Sequence, residues 1–271
     1  MKKKSALIIL LAVSAGLFAQ DNPQFISLAN KEVIIDGIAT EWSLPLPYSD
    51  KESSISWSAM NDDHYLYICL QTIDQPLQQK MMRAGMYVMV SSGGKKKIKS
   101  TVNFPLKSSS PGQQNRPTDG EGRIDRLQMR QEFIESSKEM KLKGFRLTNG
   151  TVPNLSESGI SAALSWEAQF LMTYELRIPL EELFGESFNR QELETALSIR
   201  IVVNPIPQPA QQGYGTSDPT AISASRGGER GSRGAGTPSR SGMGQGPART
   251  ELFTPTTIRG EILLNRGEAG N

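Results

Sequence analysis

The sequence predicts an all-β sandwich with one or two short helices and long disordered insertions. Short β-prone segments recur along the chain, about nine or ten of them. Two pairs of these segments enclose turn-forming residues in the manner of hairpins, and only two stretches have a helical pattern. Many short strands joined by turns, with little helix, are typical of two packed sheets. A closed barrel is the structural alternative.

The two predicted hairpins are the clearest local signals. Residues 55–60 and 64–70 are rich in β-branched and aromatic side chains, and an Asn-Asp-Asp turn separates them. Residues 86–90 and 98–104 enclose a Ser-Ser-Gly-Gly turn, where glycine allows a tight reversal of the backbone. Each pair therefore predicts two antiparallel neighbours in a sheet.

Further strands are expected at residues 160–166, 171–178, 197–203 and 256–264. A turn near Glu167 would pair the first two of these strands. The later segments complete the strand count that a sandwich requires.

Two stretches favour helix. Residues 124–138 place several apolar side chains near one helical face. Residues 180–184 lie between Pro179 and Gly185, which favour the start and the end of a helical turn.

Residues 1–19 are expected to form a secretory signal peptide. Three lysines at residues 2–4 precede an apolar run at residues 6–13, and Ala19 offers a small residue for cleavage. The apolar run is too short to cross a bilayer, which takes roughly 20 residues of helix. No transmembrane segment is therefore predicted, and a buried core helix is the alternative for this stretch.

Export changes what the charge implies. The whole chain carries a formal net charge of +2, and residues 1–19 hold three lysines and no acid, so the remainder is −1. A nearly neutral domain has no general attraction for nucleic acid. Cys69 is the single cysteine and lies far from the cleavage point, which predicts a soluble periplasmic or secreted protein rather than a lipoprotein. Residues 20–271 are expected to form one domain.

Two stretches have the composition of disordered loops, at about residues 108–122 and 207–250. The second is rich in glycine and arginine and precedes a strand-like segment, which indicates an insertion between strands. Its arginines resemble those of RNA-binding segments, but no aromatic residues are interleaved for base stacking. A solvated loop is the favoured interpretation, and contact with an anionic polysaccharide or a lipopolysaccharide phosphate is a weaker alternative.

The order of several short motifs resembles that of family 9 carbohydrate-binding modules and related DOMON-like domains. An apolar segment at residues 33–35 leads into Asp36-Gly37 and then Glu41-Trp42. The other matching elements, in order, are Asn61-Asp62-Asp63 with Leu66-Tyr67-Ile68, Asp74, Met86 to Val90, Asn103-Phe104-Pro105-Leu106, and Tyr174 to Leu183. The elements at residues 86–90 and 103–106 resemble a variant of the family that is common in exported proteins of Bacteroidetes-type bacteria. The resemblance as a whole covers residues 31–264.

The resemblance implies an immunoglobulin-like or jelly-roll sandwich and, in the best-known members, sugar binding. The residues themselves first suggest structural roles. Asp36-Gly37 suits a tight turn, Trp42 is expected to cap one end of the core, and Glu175 is expected to face solvent or to pair with an arginine.

A sugar site needs aromatic faces and planar polar groups on rigid strands. Trp57 and Trp166 lie on predicted strands and are the candidate ligand-binding pair. Ordinary packing in the core or on the surface is the alternative for each.

Cofactor signals are sparse. A haem would need an axial ligand, and His64 is the single histidine, expected to be exposed at a hairpin turn. Relatives hold calcium or haem, but no metal-ligand pattern assigns either here, so no cofactor is predicted. No nucleophile–base set is evident, so the chain is predicted not to be an enzyme, with a paired-carboxylate glycosidase as the residual alternative.

Three hypotheses for function follow. The first is a non-catalytic module that binds a glycan or surface polysaccharide through exposed aromatic residues. The second is a periplasmic or surface interaction domain that has lost the sugar site. The third is a haem-binding DOMON-like domain.

Overall fold

The computed structural model describes residues 23–93, 97–107, 126–157, 159–188, 191–207 and 251–266. The strands are β1 (Gln24–Phe25), β2 (Ser27–Leu28), β3 (Tyr48–Asp50), β4 (Ile55–Asn61), β5 (Tyr65–Thr72), β6 (Met86–Ser92), β7 (Lys99–Asn103), β8 (Glu139–Lys143), β9 (Gly150–Pro153), β10 (Ser161–Trp166), β11 (Met172–Pro179), β12 (Leu197–Val203) and β13 (Thr256–Leu263). The helices are α1 (Gln75–Ala84), α2 (Arg126–Ser136) and α3 (Leu180–Phe184). The predicted signal peptide and most of both predicted disordered loops lie outside the described residues.

The strands form two sheets that pack face to face, which confirms the predicted β-sandwich. The seven-stranded sheet has the order β1-β13-β12-β6-β7-β8-β9. The six-stranded sheet has the order β10-β11-β5-β4-β2, with β3 also paired to β4. Inward-facing side chains of both sheets share one core, for example Ile68 and Leu70 of β5 with Val88 and Val90 of β6. Alternation along each strand places these residues on the buried face.

Both predicted hairpins are confirmed. Strands β4 and β5 pair antiparallel, and β6 and β7 do the same. Asp62 stabilises the first turn by accepting hydrogen bonds from the groups around it. Its carboxylate accepts the backbone N–H groups of His64 and Tyr65, each at 2.7 Å, and the hydroxyl of Tyr67 at 2.8 Å. An aspartate that binds the backbone two and three residues ahead is a typical turn former.

The remaining sequence predictions are confirmed in part. Strands β10 and β11 pair through the expected turn, and β12 pairs antiparallel with β13 across the second predicted insertion. The helical turn at residues 180–184 forms with the predicted bounds. The predicted helix at residues 124–138 is described from Arg126 to Ser136.

Helix α1 was missed by the sequence prediction. Its end signals are present: the Asp74 carboxylate accepts the N–H of Leu77 at 2.7 Å as an N-cap, Pro76 lies in the first turn, and Gly85 ends the helix. Its buried face, however, includes Gln78 and Lys80, which composition assigns to solvent. A mixed buried face of this kind hides the helical period.

The apolar segment at residues 33–35, where the resemblance begins, is not a strand. Residues 33–46 instead form a covering segment over the outer face of the six-stranded sheet. Val33, Ile35 and Trp42 lie in a second buried cluster with Met60 and Cys69 of that sheet. The outer face of this sheet is therefore covered rather than exposed.

Candidate ligand-binding groove

The carboxylate of Glu175 fastens the covering segment to the six-stranded sheet. Its Oε2 accepts the backbone N–H groups of Asp36 at 3.2 Å and Gly37 at 2.9 Å, and its Oε1 accepts the indole N–H of Trp42 at 2.7 Å. Glu175 is 0% exposed, so the prediction that it faces solvent or pairs with an arginine was wrong. The Asp-Gly and Trp motifs that suggested the family resemblance thus converge on one structural anchor.

Two residues in this anchor are constrained by sterics and burial. Gly37 has a φ of +84°, and a Cβ at this position would lie 2.7 Å from the backbone carbon of Leu164. Trp42 is 7% exposed, which confirms that it is a packing residue, but it lies over the outer face of the six-stranded sheet rather than at one end of the core. Burial raises the pKa of Glu175 to about 7, although its three hydrogen bonds act in the opposite direction.

Trp57 of β4 contacts residues of both sheets. It is directly opposite Tyr48 in the β3–β4 pair, and the two rings have centroids 4.6 Å apart. Its indole also lies against Gly260 of β13, where a Cβ would be 2.3 Å from the ring carbon Cζ2. Glycine in a strand allows this close approach of a large ring to the backbone.

An open groove of about 620 Å3 adjoins this aromatic pair. Its walls are β3, the part of β13 that precedes its pairing with β1, and the start of β1. The lining residues are Gln24, Pro47, Tyr48, Ser49, Asp50, Trp57, Thr257, Ile258, Arg259, Gly260 and Glu261. Tyr48 is half-buried, while Trp57 is only 5% exposed. The carboxylate of Asp50 accepts the Ser53 N–H at 2.9 Å, which orients it at the groove wall.

Trp57 and Trp166 are not brought together as an exposed pair. Both face the interior of the same sheet, but β11 and β5 lie between their strands. The distance across three strand spacings is roughly 14 Å. The groove therefore contains one of the two predicted tryptophans.

Trp166 takes part in a separate polar cluster between α1 and α2. Its indole N–H and the guanidinium of Arg130 both donate to Oε1 of Gln78, at 2.9 and 3.1 Å. The guanidinium carbon of Arg130 is 5.4 Å from the ring centroid of Trp166 and 4.8 Å from that of Phe170. These contacts give Trp166 a packing role that joins α2 to the sandwich.

The groove residues other than tryptophan carry little signal in the sequence. Tyr48 and Asp50 lie in a three-residue strand, and Arg259 and Glu261 alternate with buried residues as on any solvent-facing strand. Gly260 was the available signal, because an isolated glycine within a strand often marks close backbone approach. Its partner cannot be read from the sequence, since Trp57 lies on another sheet.

His64 is exposed beside the first hairpin turn, as predicted. The nearby methionines Met60, Met81 and Met86 are buried in the two cores. Within the described ranges, no group of three or more His, Cys, Asp or Glu side chains is placed to hold a metal ion. The haem hypothesis stays a prediction. In the same part of the chain, no helix has the length and apolar character needed to span a bilayer.

Comparisons with known proteins give a likeness to a solved structure. A scan against protein-family models gives no match, and a search of curated proteins gives none either. Among solved structures, the chain is similar to a family 9 carbohydrate-binding module from Caldicellulosiruptor kristjanssonii in complex with glucose. The two are 12% identical with a TM-score of 0.34, over 92% of this chain and 99% of that chain. At this identity and TM-score, the glucose contacts of that protein identify no binding residues here.

Proposed function

We propose that this protein is a non-catalytic module that binds a glycan in the groove beside Tyr48 and Trp57. The observation that carries the proposal is the combination of a half-buried aromatic ring with hydrogen-bonding side chains in an open groove between two sheet edges. An aromatic face packs against the C–H surface of a pyranose ring, and planar polar groups bind its hydroxyls.

The polar side chains of the groove suit this task. Asp50 and Glu261 supply carboxylate acceptors, Arg259 supplies a forked donor, and Gln24 supplies both kinds of group. These residues lie on strands, which hold a site more precisely than loops do. The ring of Tyr48 packs against the ring of Trp57, and this contact holds the half-buried tyrosine in position.

Binding by a Tyr48→Ala variant tests the proposal. We expect affinity electrophoresis or a glycan array to identify a glycan that wild-type protein binds, and the variant to bind it at least about tenfold more weakly, or ~1.4 kcal/mol. Tyr65→Ala is the matched control, because Tyr65 is also half-buried but does not line the groove. Equal binding by Tyr48→Ala and wild-type protein would refute the assignment of this groove.

The predicted ligand roles of the two tryptophans are tested in the same assay. Trp57→Phe should weaken binding because it removes part of the support beneath Tyr48. Trp166→Phe tests the predicted ligand contact of Trp166. Because Trp166 does not line the groove, we expect this variant to bind with unchanged affinity.

A second candidate is a protein-interaction domain, and the strand edges favour it. Within the described residues, β13 pairs on its outer side with β1 only through Ile262 and Leu263. The edge at residues 256–261 therefore has backbone groups available along the groove, and an extended peptide could add there as a further strand. Retention of peptides from a random library, together with no binding to any glycan, would favour this candidate.

We also propose that the protein is exported, because residues 1–19 have the three parts of a signal peptide. Expression of the full chain in a bacterial host followed by N-terminal sequencing tests this. We expect the mature product to begin near Gln20, and recovery of an uncleaved chain from the cytoplasm would contradict it.

A further inference from the structure

The outer face of the seven-stranded sheet is a basic surface. Ile199, Ile201 and Ile258 point into the shared core, so alternation turns Arg200 and Arg259 to the opposite side. The charged residues that the described strands β6, β7, β8, β12 and β13 present on this face are five basic ones, Lys99, Lys141, Lys143, Arg200 and Arg259, and two acidic ones, Glu139 and Glu261. We call this surface the basic face.

Arg200 and Arg259 are directly opposite each other in the β12–β13 pair. Like charges in directly opposed positions of a sheet are destabilising. Among the described residues, neither guanidinium has an ion-pair or hydrogen-bond partner. The pair therefore carries two positive charges without a direct ion pair, and the acidic residue Glu261 lies on the same face two residues after Arg259.

The strand register places a third cation, Lys143, in the same cross-strand row as the arginine pair. Arg259, Arg200, Met89, Thr101 and Lys143 follow one another across five strands. At about 4.8 Å between strands, the row is roughly 19 Å long. Its cations lie at the two ends, with Met89 and Thr101 between them, so the row can contact separate anionic groups along one linear polymer.

A second row beside it provides apolar and neutral contacts. Tyr87 of β6 lies between Val202 of β12 and Asn103 of β7. Tyr87 is half-buried, so part of its side chain is available on the surface. An aromatic ring on the same face as these cations is suited to a polymer with both apolar C–H faces and anionic substituents.

The basic face is continuous with the groove. Arg259 and Glu261 belong to both surfaces, because β13 is at once the groove wall and part of the sheet. A chain that leaves the groove past Arg259 meets Arg200 next in register. The covering segment leaves no comparable surface on the described part of the other sheet.

We propose that the ligand is an acidic polysaccharide, bearing carboxylate or sulfate groups, which runs from the groove onto the basic face. This inference rests on the proposed glycan-binding function and specifies its ligand class. Charge complementarity supports it: guanidinium groups bind carboxylate and sulfate oxygens in bidentate fashion, and anionic substituents relieve the repulsion between Arg200 and Arg259.

The test compares the full chain with Arg200→Ser/Arg259→Ser, using Arg83→Ser/Arg146→Ser as the matched control. Arg83 and Arg146 are exposed and lie off the basic face. The control therefore loses as many positive charges as the test variant, but none from the basic face. Alginate, dextran sulfate and uncharged dextran are the probes, in affinity electrophoresis and calorimetry at 50 and 150 mM salt. Circular dichroism and thermal unfolding of each variant establish that it is folded.

We expect wild-type protein and the control to bind alginate or dextran sulfate, with affinity that falls as salt increases. The Arg200→Ser/Arg259→Ser variant should bind at least tenfold more weakly. Equal affinity of the variant and the control for the acidic polymers would overturn the inference. Equally strong binding of single-stranded DNA of matched charge would also overturn it, since the face would then recognise charge alone.

The outcomes separate this inference from the function on which it rests. Binding of a neutral glycan that needs Tyr48 but not Arg200 and Arg259 would leave the glycan-binding proposal standing and refute the acidic ligand class. Absence of binding to all glycans would refute both.

Discussion

Oε1 of Glu175 accepts the indole N–H of Trp42 at 2.7 Å, although the two residues are 133 positions apart. The same carboxylate accepts the N–H groups of Asp36 and Gly37. One buried acid therefore holds the covering segment at both its turn and its tryptophan. The burial of this acid makes the stability of the fold depend on pH.

We expect the Glu175 contribution to the free energy of unfolding to fall as pH rises from about 4.5 to about 7. The pKa of Glu175 is raised to about 7 in the folded protein from its ordinary 4.5. The folded state therefore holds the proton more tightly, and its advantage is complete below pH 4.5 and lost as pH rises through 7. The loss should reach up to about 3 kcal/mol.

Urea unfolding of wild-type protein and Glu175→Gln between pH 4.5 and 8 measures this loss. The stability difference, wild type minus variant, should decrease with pH. Glu181→Gln is the control. Glu181 lies on α3, directly after the strand that carries Glu175, and its side chain is exposed, so this variant should show no such trend. A difference that stays constant or grows with pH would show that the hydrogen bonds to Glu175 outweigh its burial.

Gly37→Ala should destabilise the protein by more than about 3 kcal/mol. Alanine at a positive φ is strained by roughly 1–3 kcal/mol, and here its Cβ would also meet the backbone of Leu164. Gly150→Ala separates the two effects, because Gly150 has a φ of +98° but nothing within 4 Å of a Cβ. Chemical denaturation should show a loss of only about 1 kcal/mol for Gly150→Ala, and equal losses for both variants would contradict the steric argument.

Gly260→Ala should alter the groove as well as stability. The added methyl group would overlap the Trp57 ring, so the indole must move away from β13 and carry Tyr48 with it. Overpacking of this kind typically destabilises by about 1–3 kcal/mol. Glycan affinity should fall together with the unfolding temperature, and quenching of tryptophan fluorescence should report the displaced ring.

Gly93→Ala is the control for the Gly260 substitution. A Cβ at Gly93 has nothing within 4 Å, so this variant should be within about 0.5 kcal/mol of wild type and bind normally. If Gly260→Ala behaved like Gly93→Ala, the close contact between Gly260 and Trp57 would not exist in solution.

Gln78→Met should cost about 2–4 kcal/mol despite its similar volume. The Gln78 amide accepts from Arg130 and Trp166 and donates to the carbonyl oxygens of Thr72 and Phe170, at 2.9 and 2.8 Å. A thioether leaves these groups unsatisfied in a buried place.

Gln79→Met provides the comparison for Gln78→Met on the same helix. The Gln79 side chain is exposed, so thermal unfolding should show a change of less than about 0.5 kcal/mol. Similar losses for the two variants would mean that the buried amide network does not stabilise the fold.

Local chemistry made the hairpins and the short helix α3 predictable. The Asn-Asp-Asp turn, the run of β-prone residues after it, and the Pro179–Gly185 frame act over a few positions along the chain. Helix α1 had the same kind of end signals at Asp74 and Gly85. Its period was hidden because the buried face contains Gln78 and Lys80, whose partners come from distant elements.

The groove was less predictable than the fold. Trp57 could be identified from the sequence as a candidate, but its burial, its contact with Tyr48 and its separation from Trp166 depend on strand order. The solvent exposure of an aromatic residue depends on which residues of neighbouring strands pack against its ring. For Trp57 that neighbour is Gly260, more than 200 positions later in the chain.

By itself, the sequence determined the β-rich architecture, the turns and the two helical segments it marked, because these depend on backbone preferences over a few residues. The tertiary structure alone decided that Glu175 is a buried anchor rather than a solvent-facing acid. It also decided that Arg200 and Arg259 lie side by side. Both relationships join residues far apart in the chain, and only the register of the packed sheets brings them within contact distance.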